Sequence, residues 1–193
     1  MSNFNEPKTL FIDMDGVMIN TIEAMCTYYN ETVGFSNPVY SWQINTWGFE
    51  ELEKFQKGYV YKLFKKQAFF DEVRFFGGCI AFLKGLNYCN WRIKVVTMGC
   101  PINLALKKEF LQKHLPFCEF IGVNTNHFKD KSHIDMSGEN VFYLEDVEKN
   151  LLFSNCENKI IFGVKKPWNE NWKGDWVQDY DELEMYFKMK GLM

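Results

Sequence analysis

The sequence predicts an α/β protein in which helices flank a doubly wound parallel sheet. Short apolar or β-branched runs at 10–12, 92–96, 141–144 and 160–162 have the length and composition of buried strands. Segments with apolar residues at three-to-four spacing separate these runs, and this alternation is typical of strand–helix–strand units. The stretch 17–75 has few strand signals and many aromatic residues instead, which predicts a small helical cap inserted after the first strand.

The predicted elements follow one another in a simple order. In the cap segment (17–75), apolar spacing and turn residues predict a helix at 20–30, a loop at 34–43 and one or two helices between 49 and 70. From Gly77-Gly78 onwards, helices alternate with the predicted strands. Helices are expected at 80–86, 103–114 and 179–189, a weak strand at 120–123, and loops at 124–130 and 165–174. We therefore expect a core domain of residues 1–16 and 76–193 and a cap of residues 17–75.

Composition and charge favour a globular protein that acts on small molecules. The chain has 193 residues, of which 47% are hydrophobic and 18% aromatic, and its formal net charge is −3. It can bury a sizeable core, and it has no basic field that would bind nucleic acid as a polymer. No run reaches the roughly 18 apolar residues that span a membrane, and the polar start at 1–8 has no signal-peptide core. We therefore expect a cytoplasmic protein with no membrane partner.

The cysteines and histidines indicate neither a disulfide framework nor a zinc site. The six cysteines are scattered without a Cys-x-x-Cys pair, and the three histidines have no metal-ligand spacing. We expect reduced, mostly buried thiols and histidines in surface or capping positions.

Two carboxylates directly follow the first predicted strand. Asp13 and Asp15 are two residues apart, so on extended backbone both side chains point the same way at the carboxyl end of the strand. Open α/β sheets bind their ligands at that end. Two neighbouring acids repel each other unless a cation lies between them or one of them is protonated. The pattern favours a hard divalent cation such as Mg²⁺, and the alternative is a solvated Asp-x-Asp-Gly turn.

Polar residues also end two later predicted strands. Thr97 and the pair Glu145-Asp146 occupy these positions, and Lys131 lies in the loop before the second strand. Because parallel strands end at one edge of a sheet, these side chains should meet. A threonine hydroxyl, free backbone N–H groups and a lysine suit a phosphate, and Asp146 would complete an oxygen-only site for Mg²⁺. Singly, each residue has another reading: a helix cap for Thr97, a solvated Lys131, and acids that open a helix.

In this order, the residues resemble the motifs of the haloacid dehalogenase-like (HAD) hydrolase superfamily. The matching residues are Asp13-Met14-Asp15-Gly16-Val17, Thr97, Lys131 and Glu145-Asp146. More narrowly, the chain is similar to the 5'(3')-deoxyribonucleotidase family. That similarity lies in Ala68-Phe69-Phe70 before Gly77-Gly78, the helix at 107–115, Asp130-Lys131-Ser132 and Pro167-Trp168-Asn169. The resemblance covers nearly the whole chain and implies a Rossmann-like HAD core with a helical cap.

The resemblance implies a phosphomonoesterase that works through an aspartyl-phosphate intermediate. Asp13 would be the nucleophile, and Asp15 would protonate the leaving oxygen and later activate water. Mg²⁺ would be held by Asp13, the backbone carbonyl of Asp15, and Asp146. The residues expected at the phosphoryl group, where charge must be stabilised, are Asp15, Thr97, Met98 and Lys131.

Three departures from the family pattern concern the metal and the base pocket. Glu145 stands where the family usually carries Asp, and Thr21 stands where an aromatic residue is common. Met98-Gly99 replaces the Ser-Pro of characterised members. The residues expected to bind the organic part of the substrate by stacking are Phe49, Trp47 and Phe64, and the alternative for each is a place in the apolar core. Lys107 is expected there too, with a surface position as the alternative.

The leading hypothesis is a Mg²⁺-dependent enzyme that removes phosphate from (deoxy)ribonucleoside monophosphates. One alternative keeps the chemistry but takes a sugar phosphate or another small phosphomonoester. A second alternative is a non-catalytic phosphate-binding protein, which is disfavoured because both Asp13 and Asp15 are present. The expected partner is a small-molecule phosphomonoester, and the sequence leaves a homodimer open.

Overall fold

A parallel sheet of six strands organises the described part of the protein. The computed structural model describes residues 7–33, 36–56 and 58–193. The strands are β1 (Thr9–Ile12), β2 (Arg92–Gly99), β3 (Glu119–Asn124), β4 (Val141–Glu145), β5 (Asn158–Phe162) and β6 (Asp175–Val177). They lie in the order β3-β2-β1-β4-β5-β6, and all neighbouring pairs are parallel. The predicted α/β fold with a doubly wound parallel sheet is confirmed.

Helices connect and flank the strands. They are α1 (Thr21–Thr32), α2 (Tyr59–Leu63), α3 (Gln67–Glu72), α4 (Cys79–Tyr88), α5 (Pro101–His114), α6 (Glu148–Phe153) and α7 (Tyr180–Met189), with a 3₁₀ turn at Ser41–Gln43. Because β1 lies between β2 and β4, the strand order reverses on either side of it. A reversal of this kind opens a crevice at the carboxyl ends of the strands, which is where such sheets bind ligands.

The two faces of the sheet bury separate apolar clusters. Leu10 and Ile12 on β1 belong to the larger cluster, whereas Phe11 between them belongs to the smaller one. This alternation follows from the two-residue period of a strand. Both faces of β1 are therefore buried, which explains why its sequence is a continuous apolar run.

The cap segment packs onto the larger cluster. Its apolar residues Met25, Leu52, Leu63 and Phe69 are buried in the same cluster as Leu10. The division into a core of 1–16 and 76–193 and a cap of 17–75 stays a prediction. Parts of three predictions lie outside the described residues: the start of the core at 1–6, the start of the loop at 34–35, and residue 57 within the cap helices.

Several predicted boundaries were wrong. Turns precede two short helices, α2 and α3, where one or two helices were expected between 49 and 70, and Gly58 starts α2 from a left-handed conformation with φ of +79°. Strand β2 continues to Gly99 because its pairing with β3 extends through Gly99 and Asn124. The elements α6 and β6 were not predicted, since six and three residues are too short for a clear periodicity.

Two further observations concern membranes and thiols. Among the described residues, no helix combines the length and the apolar character that crossing a membrane requires. All six cysteines are unpaired.

Candidate active site

A cavity of about 590 Å³ opens at the carboxyl ends of the central strands. Its lining includes Asp13 and Asp15 after β1, Met98 at the end of β2, Lys131 in the loop before β4, and Asp146 directly after β4. The N–H of Asp13 donates to the carbonyl of Leu144 at 3.0 Å, so the sheet itself fixes the start of this polar segment. Residues far apart in sequence thus meet at one sheet edge.

Lys131 joins two carboxylates from different strands. Its Nζ lies 2.5 Å from Asp13 Oδ1 and 2.6 Å from Glu145 Oε2, and its side chain is only 2% exposed. Tyr143, two residues before Glu145 on β4, donates its hydroxyl to the same Oε2 at 2.5 Å. Residues two apart on a strand share a face, so β4 presents the Tyr143–Glu145 pair to Lys131. Glu145, which is buried and held by the buried Tyr143, therefore keeps the ammonium beside Asp13.

Asp15 is bound through both of its carboxylate oxygens. Lys107 Nζ donates to Oδ2, and Thr21 Oγ1, at the start of α1, donates to Oδ1 at 3.0 Å. Lys107 also donates to Thr97 Oγ1 and to the carbonyl of Met98, both at 2.8 Å. These three acceptors match the three N–H groups of a lysine. All the hydrogen-bonding groups of Lys107 are therefore satisfied, as burial of a side chain that is only 1% exposed requires. The arrangement fixes the orientation of Asp15, whose side chain remains 34% exposed.

Three acidic side chains converge where a cation could bind. One carboxylate oxygen from each of Asp13, Glu145 and Asp146 lies within 4.8 Å of the other two. Gly16 lies against Asp146, and a Cβ there would overlap the carboxylate. When all are ionised, these three acids and Asp15 face two ammonium groups, which leaves a formal excess of two negative charges. An oxygen-only donor set with this excess fits a hard divalent cation such as Mg²⁺.

The pKa values of the cluster reflect the same excess. Burial raises the pKa of Asp13 to about 7; Lys131 opposes this shift, and Glu145 adds to it. Burial also raises the pKa of Asp146 well above its usual value, and the negative charges of Glu145 and Asp13 raise it further. For Lys131, burial lowers the pKa, but the adjacent Asp13 and Glu145 outweigh this effect and hold its pKa above the ordinary value. The site therefore favours a bound proton or cation among its acids.

Aromatic side chains from the cap segment and from the loop after β5 line the same cavity. They are Trp47, Phe49, Tyr61, Phe64 and Trp168. Phe49 has φ of +56°, a left-handed conformation that bulky residues rarely adopt. Strained backbone of this kind is concentrated at functional sites. Phe64 packs edge-to-face on the buried Phe69, with ring centroids 5.2 Å apart, which anchors this part of the wall.

The structure brings together most of the residues predicted for the site. Asp13, Asp15, Met98, Lys131 and Asp146 line the cavity, as do Phe49, Trp47, Phe64 and Lys107. Their individual roles stay predictions. The alternative of a surface position for Lys107 is wrong, because this side chain is buried and bonded to Asp15.

Three features of the site bear on the predicted phosphate and metal contacts. Thr97 is fully buried and does not line the cavity, and its hydroxyl accepts from Lys107, so its predicted contact with phosphate stays a prediction. The Asp15 side chain is engaged by Lys107 and Thr21, which leaves its backbone carbonyl as the predicted metal ligand. Glu145 joins the acidic cluster with its side chain.

Sequence reasoning missed three residues at the site. Thr21 was noted only as the absence of an aromatic residue, and nothing in its position indicated a bond to Asp15. Tyr143 was interpreted as part of an apolar strand, although its two-residue spacing from Glu145 was a usable signal. Trp168 was noted only as part of Pro167-Trp168-Asn169, one of the segments that are similar to the deoxyribonucleotidase family.

Solved structures of HAD-type hydrolases share this fold. A predicted phosphatase from Clostridium acetobutylicum has a TM-score of 0.66 and 16% identity, over 96% of this chain and 100% of the other. The HAD-hydrolase YfnB from Bacillus subtilis, bound to magnesium, has a TM-score of 0.61 and 15% identity, over 94% and 99%. CbbY from Rhodobacter sphaeroides, in complex with phosphate, has a TM-score of 0.58 and 13% identity, over 92% and 96%. At these identities the likeness establishes the fold.

This fold, with acids and lysines gathered at the carboxyl edge of the sheet, is that of a phosphatase of the HAD-like superfamily. A family model described as "5' nucleotidase, deoxy (Pyrimidine), cytosolic type C protein" matches residues 7–185. The chain belongs to that family, which confirms the resemblance and the prediction of an enzyme. No curated protein matches the chain.

Proposed function

We propose that the protein is a Mg²⁺-dependent phosphomonoesterase that hydrolyses (deoxy)ribonucleoside monophosphates in the cytoplasm. The observation that carries this proposal is the position of Asp13, bonded to Lys131 and clustered with Asp146, in a cavity that also holds five aromatic side chains. The acidic cluster supports phosphoryl chemistry, and the aromatic lining supports a nucleoside as the leaving group. A cavity of about 590 Å³ has room for such a substrate, since ligand pockets measure roughly 300–1,000 Å³.

The proposed reaction has two steps, and both use Asp13 and Asp15. A carboxylate oxygen of Asp13 forms a bond to phosphorus while the ester P–O bond breaks, and Asp15 gives its proton to the departing oxygen. In the second step Asp15 takes a proton from a water molecule that attacks phosphorus. The bond between Asp13 and phosphorus then breaks, which releases inorganic phosphate and restores both carboxyl groups. Lys107 and Thr21 support these roles because they keep Asp15 oriented towards the cavity.

The remaining charges serve the phosphoryl group. Lys131 is the proposed partner of the phosphoryl oxygens, together with the backbone of Met98 at the end of β2. Asp13, the backbone carbonyl of Asp15, and Asp146 would hold Mg²⁺, with Glu145 as an additional candidate. When bound, the cation would neutralise developing negative charge on the phosphoryl oxygens. Thr97 would contribute by holding Lys107 in place.

Initial rates on a panel of monophosphates test the proposal. The panel contains ribo- and deoxyribonucleoside 5'- and 3'-monophosphates and sugar phosphates, assayed with Mg²⁺ and with EDTA. We expect nucleotides to be hydrolysed fastest, EDTA to abolish activity reversibly, and Asp13→Asn to lower kcat by at least about a thousandfold because the nucleophile is lost. Asp181→Asn, an exposed change at the start of α7, serves as the control. Faster turnover of sugar phosphates than of every nucleotide would overturn the substrate assignment.

A further inference from the structure

The loop after β5 brings to the cavity a tryptophan that the proposed chemistry does not use. Trp168 lines the cavity and meets Trp47 of the cap segment edge-to-face, with ring centroids 5.5 Å apart and ring planes at 73°. Trp47 remains 59% exposed. Two large rings from distant parts of the chain therefore form a corner that is open to a ligand.

The backbone that carries Trp168 is held by a buried side chain. Asn169 is 1% exposed; its Oδ1 accepts from the N–H of Lys166 at 2.8 Å, and its Nδ2 donates to the carbonyl of Val164 at 3.3 Å. The carbonyl of Trp168 accepts from the N–H of Glu148 at 3.2 Å, at the start of α6. Because Glu148 is two residues after Asp146, this bond ties the tryptophan to the acidic cluster.

Lys166 joins the same loop to the cap segment. Its Nζ donates to the carbonyl of Ile44 at 2.6 Å and to that of Trp42 at 3.3 Å. These carbonyls lie a few residues before Trp47, so the bonds hold both tryptophan-bearing stretches together. The lysine charge is used for this contact, and Trp168 is left as the group of this loop that faces the ligand space.

Thr21 stands where related sequences commonly have an aromatic residue, so that position contributes no ring to the cavity wall. Thr21 lines the cavity, but its hydroxyl is committed to Asp15. A ring that binds in this cavity must stack on other side chains, and Trp168 offers the largest π surface from the core side of the site.

We propose that Trp168 is a specificity-determining residue, which contacts the planar ring of the substrate and, with Trp47, selects monophosphates that carry a heteroaromatic ring. This inference rests on the proposed function, because it assumes that the organic group is a nucleobase. It goes further by naming the residue that distinguishes a nucleotide from a sugar phosphate of the same chemistry.

The test compares two substrates that differ only by the base. The ratio of kcat/KM for a deoxyribonucleoside 5'-monophosphate to that for 2-deoxyribose 5-phosphate is measured for the wild type, Trp168→Ala and Trp168→Phe. We expect Trp168→Ala to lower this ratio about tenfold, mainly through KM for the nucleotide, because stacking on an aromatic side chain is typically worth about one to two powers of ten in affinity. Trp168→Phe, which keeps a ring, should retain most of the ratio. Trp42→Ala is the matched control, since Trp42 is 69% exposed and stacks on Tyr40 instead.

The outcomes separate this inference from the function on which it rests. If the wild type prefers nucleotides and Trp168→Ala keeps that preference, the role of Trp168 is refuted and the proposed function stands. If the wild type does not prefer nucleotides to deoxyribose 5-phosphate, the proposed function fails and the inference fails with it. Turnover of the sugar phosphate by Trp168→Ala reports that the variant is folded. An equal loss of the ratio in Trp42→Ala would also refute a specific role for Trp168.

Discussion

At the scale of single residues, two buried lysines organise the site. Lys107 and Lys131 are 1% and 2% exposed, and each bonds to a carboxylate of the Asp13–Asp15 pair. A buried charge is tolerated only when it is paired and hydrogen-bonded, so each lysine and its acid fix one another. The consequence is that the two proposed catalytic acids have different neighbours and can have different roles.

Replacing Lys107 tests whether it orients Asp15. In Lys107→Met the side chain keeps its approximate length but loses the bonds to Asp15, Thr97 and the Met98 carbonyl. We expect kcat to fall about ten- to a hundredfold with a smaller change in KM. A general acid–base group accelerates the reaction by roughly 10²–10⁴-fold, and misplacing it removes part of that acceleration. Lys108→Met, an exposed change on the same helix, is the control. A rise in KM at constant kcat would instead assign Lys107 to substrate binding.

The sequence could predict which residues gather at the site better than it could predict their partners. Asp13 and Asp146 follow from strand ends in a parallel sheet, because that topology alone brings them to one edge. Lys131 lies in the loop between β3 and β4, and only the resemblance in motif order indicated its place at the site. The bonds of Lys107 depend on the reach of a long side chain across α5 and β2, and no periodicity encodes that reach. The burial of Thr97 likewise depends on β2 continuing to Gly99.

At the scale of elements, β4 combines the acidic cluster with its support. Tyr143 and Glu145 lie on one face of the strand, and Tyr143 donates its hydroxyl to the carboxylate that also binds Lys131. A buried hydrogen bond to a charged group contributes about 1.5–3 kcal/mol. This strand therefore stabilises the fold and the position of the lysine at once.

Removing that hydroxyl tests how much this bond stabilises the fold. Tyr143→Phe leaves the buried ring in place, and we expect the free energy of unfolding to fall by about 1.5–3 kcal/mol in urea denaturation. Tyr186→Phe is a matched control, because Tyr186 also donates to a carboxylate, Asp175 Oδ2 at 2.6 Å, but in an exposed setting. That variant should lose under about 1 kcal/mol. If the free energy of unfolding fell equally in the two variants, the buried bond from Tyr143 to Glu145 would stabilise the fold no more than the exposed bond does.

Elements with a clear apolar run or a clear apolar spacing were the most predictable. β1 and α7 follow clear apolar patterns, and the structure contains both. The turns before α2 were missed, because the aromatic spacing between 49 and 64 imitates a helix although those rings serve the cavity wall and the larger cluster. Tertiary packing of aromatic residues overrode the local pattern there.

At the scale of the whole molecule, the charge excess of the site links stability to pH and metal. The pKa of Asp13 is about 7 in the folded, metal-free protein and close to 4 in an unfolded chain. Between these values the folded state holds a proton that the unfolded state has lost. The stabilising contribution of this proton is therefore complete below about pH 4 and disappears as the pH rises through 7, for a difference of at most about 4 kcal/mol. Asp146, whose pKa is also raised, acts in the same direction.

Mg²⁺ should reverse this loss of stability at high pH. In EDTA, the free energy of unfolding should fall from pH 5 to pH 8. Added Mg²⁺ should stabilise the protein strongly at pH 8 and weakly at pH 5, because the cation binds the ionised carboxylates that protons otherwise occupy. Urea denaturation at both pH values, with and without Mg²⁺, measures the effect. Asp13→Asn should flatten the pH dependence and be more stable than the wild type at pH 8 in EDTA, since the unfavourable buried charge is gone. Stabilisation by Mg²⁺ that is equal at both pH values, or that Asp13→Asn leaves intact, would place the cation away from Asp13.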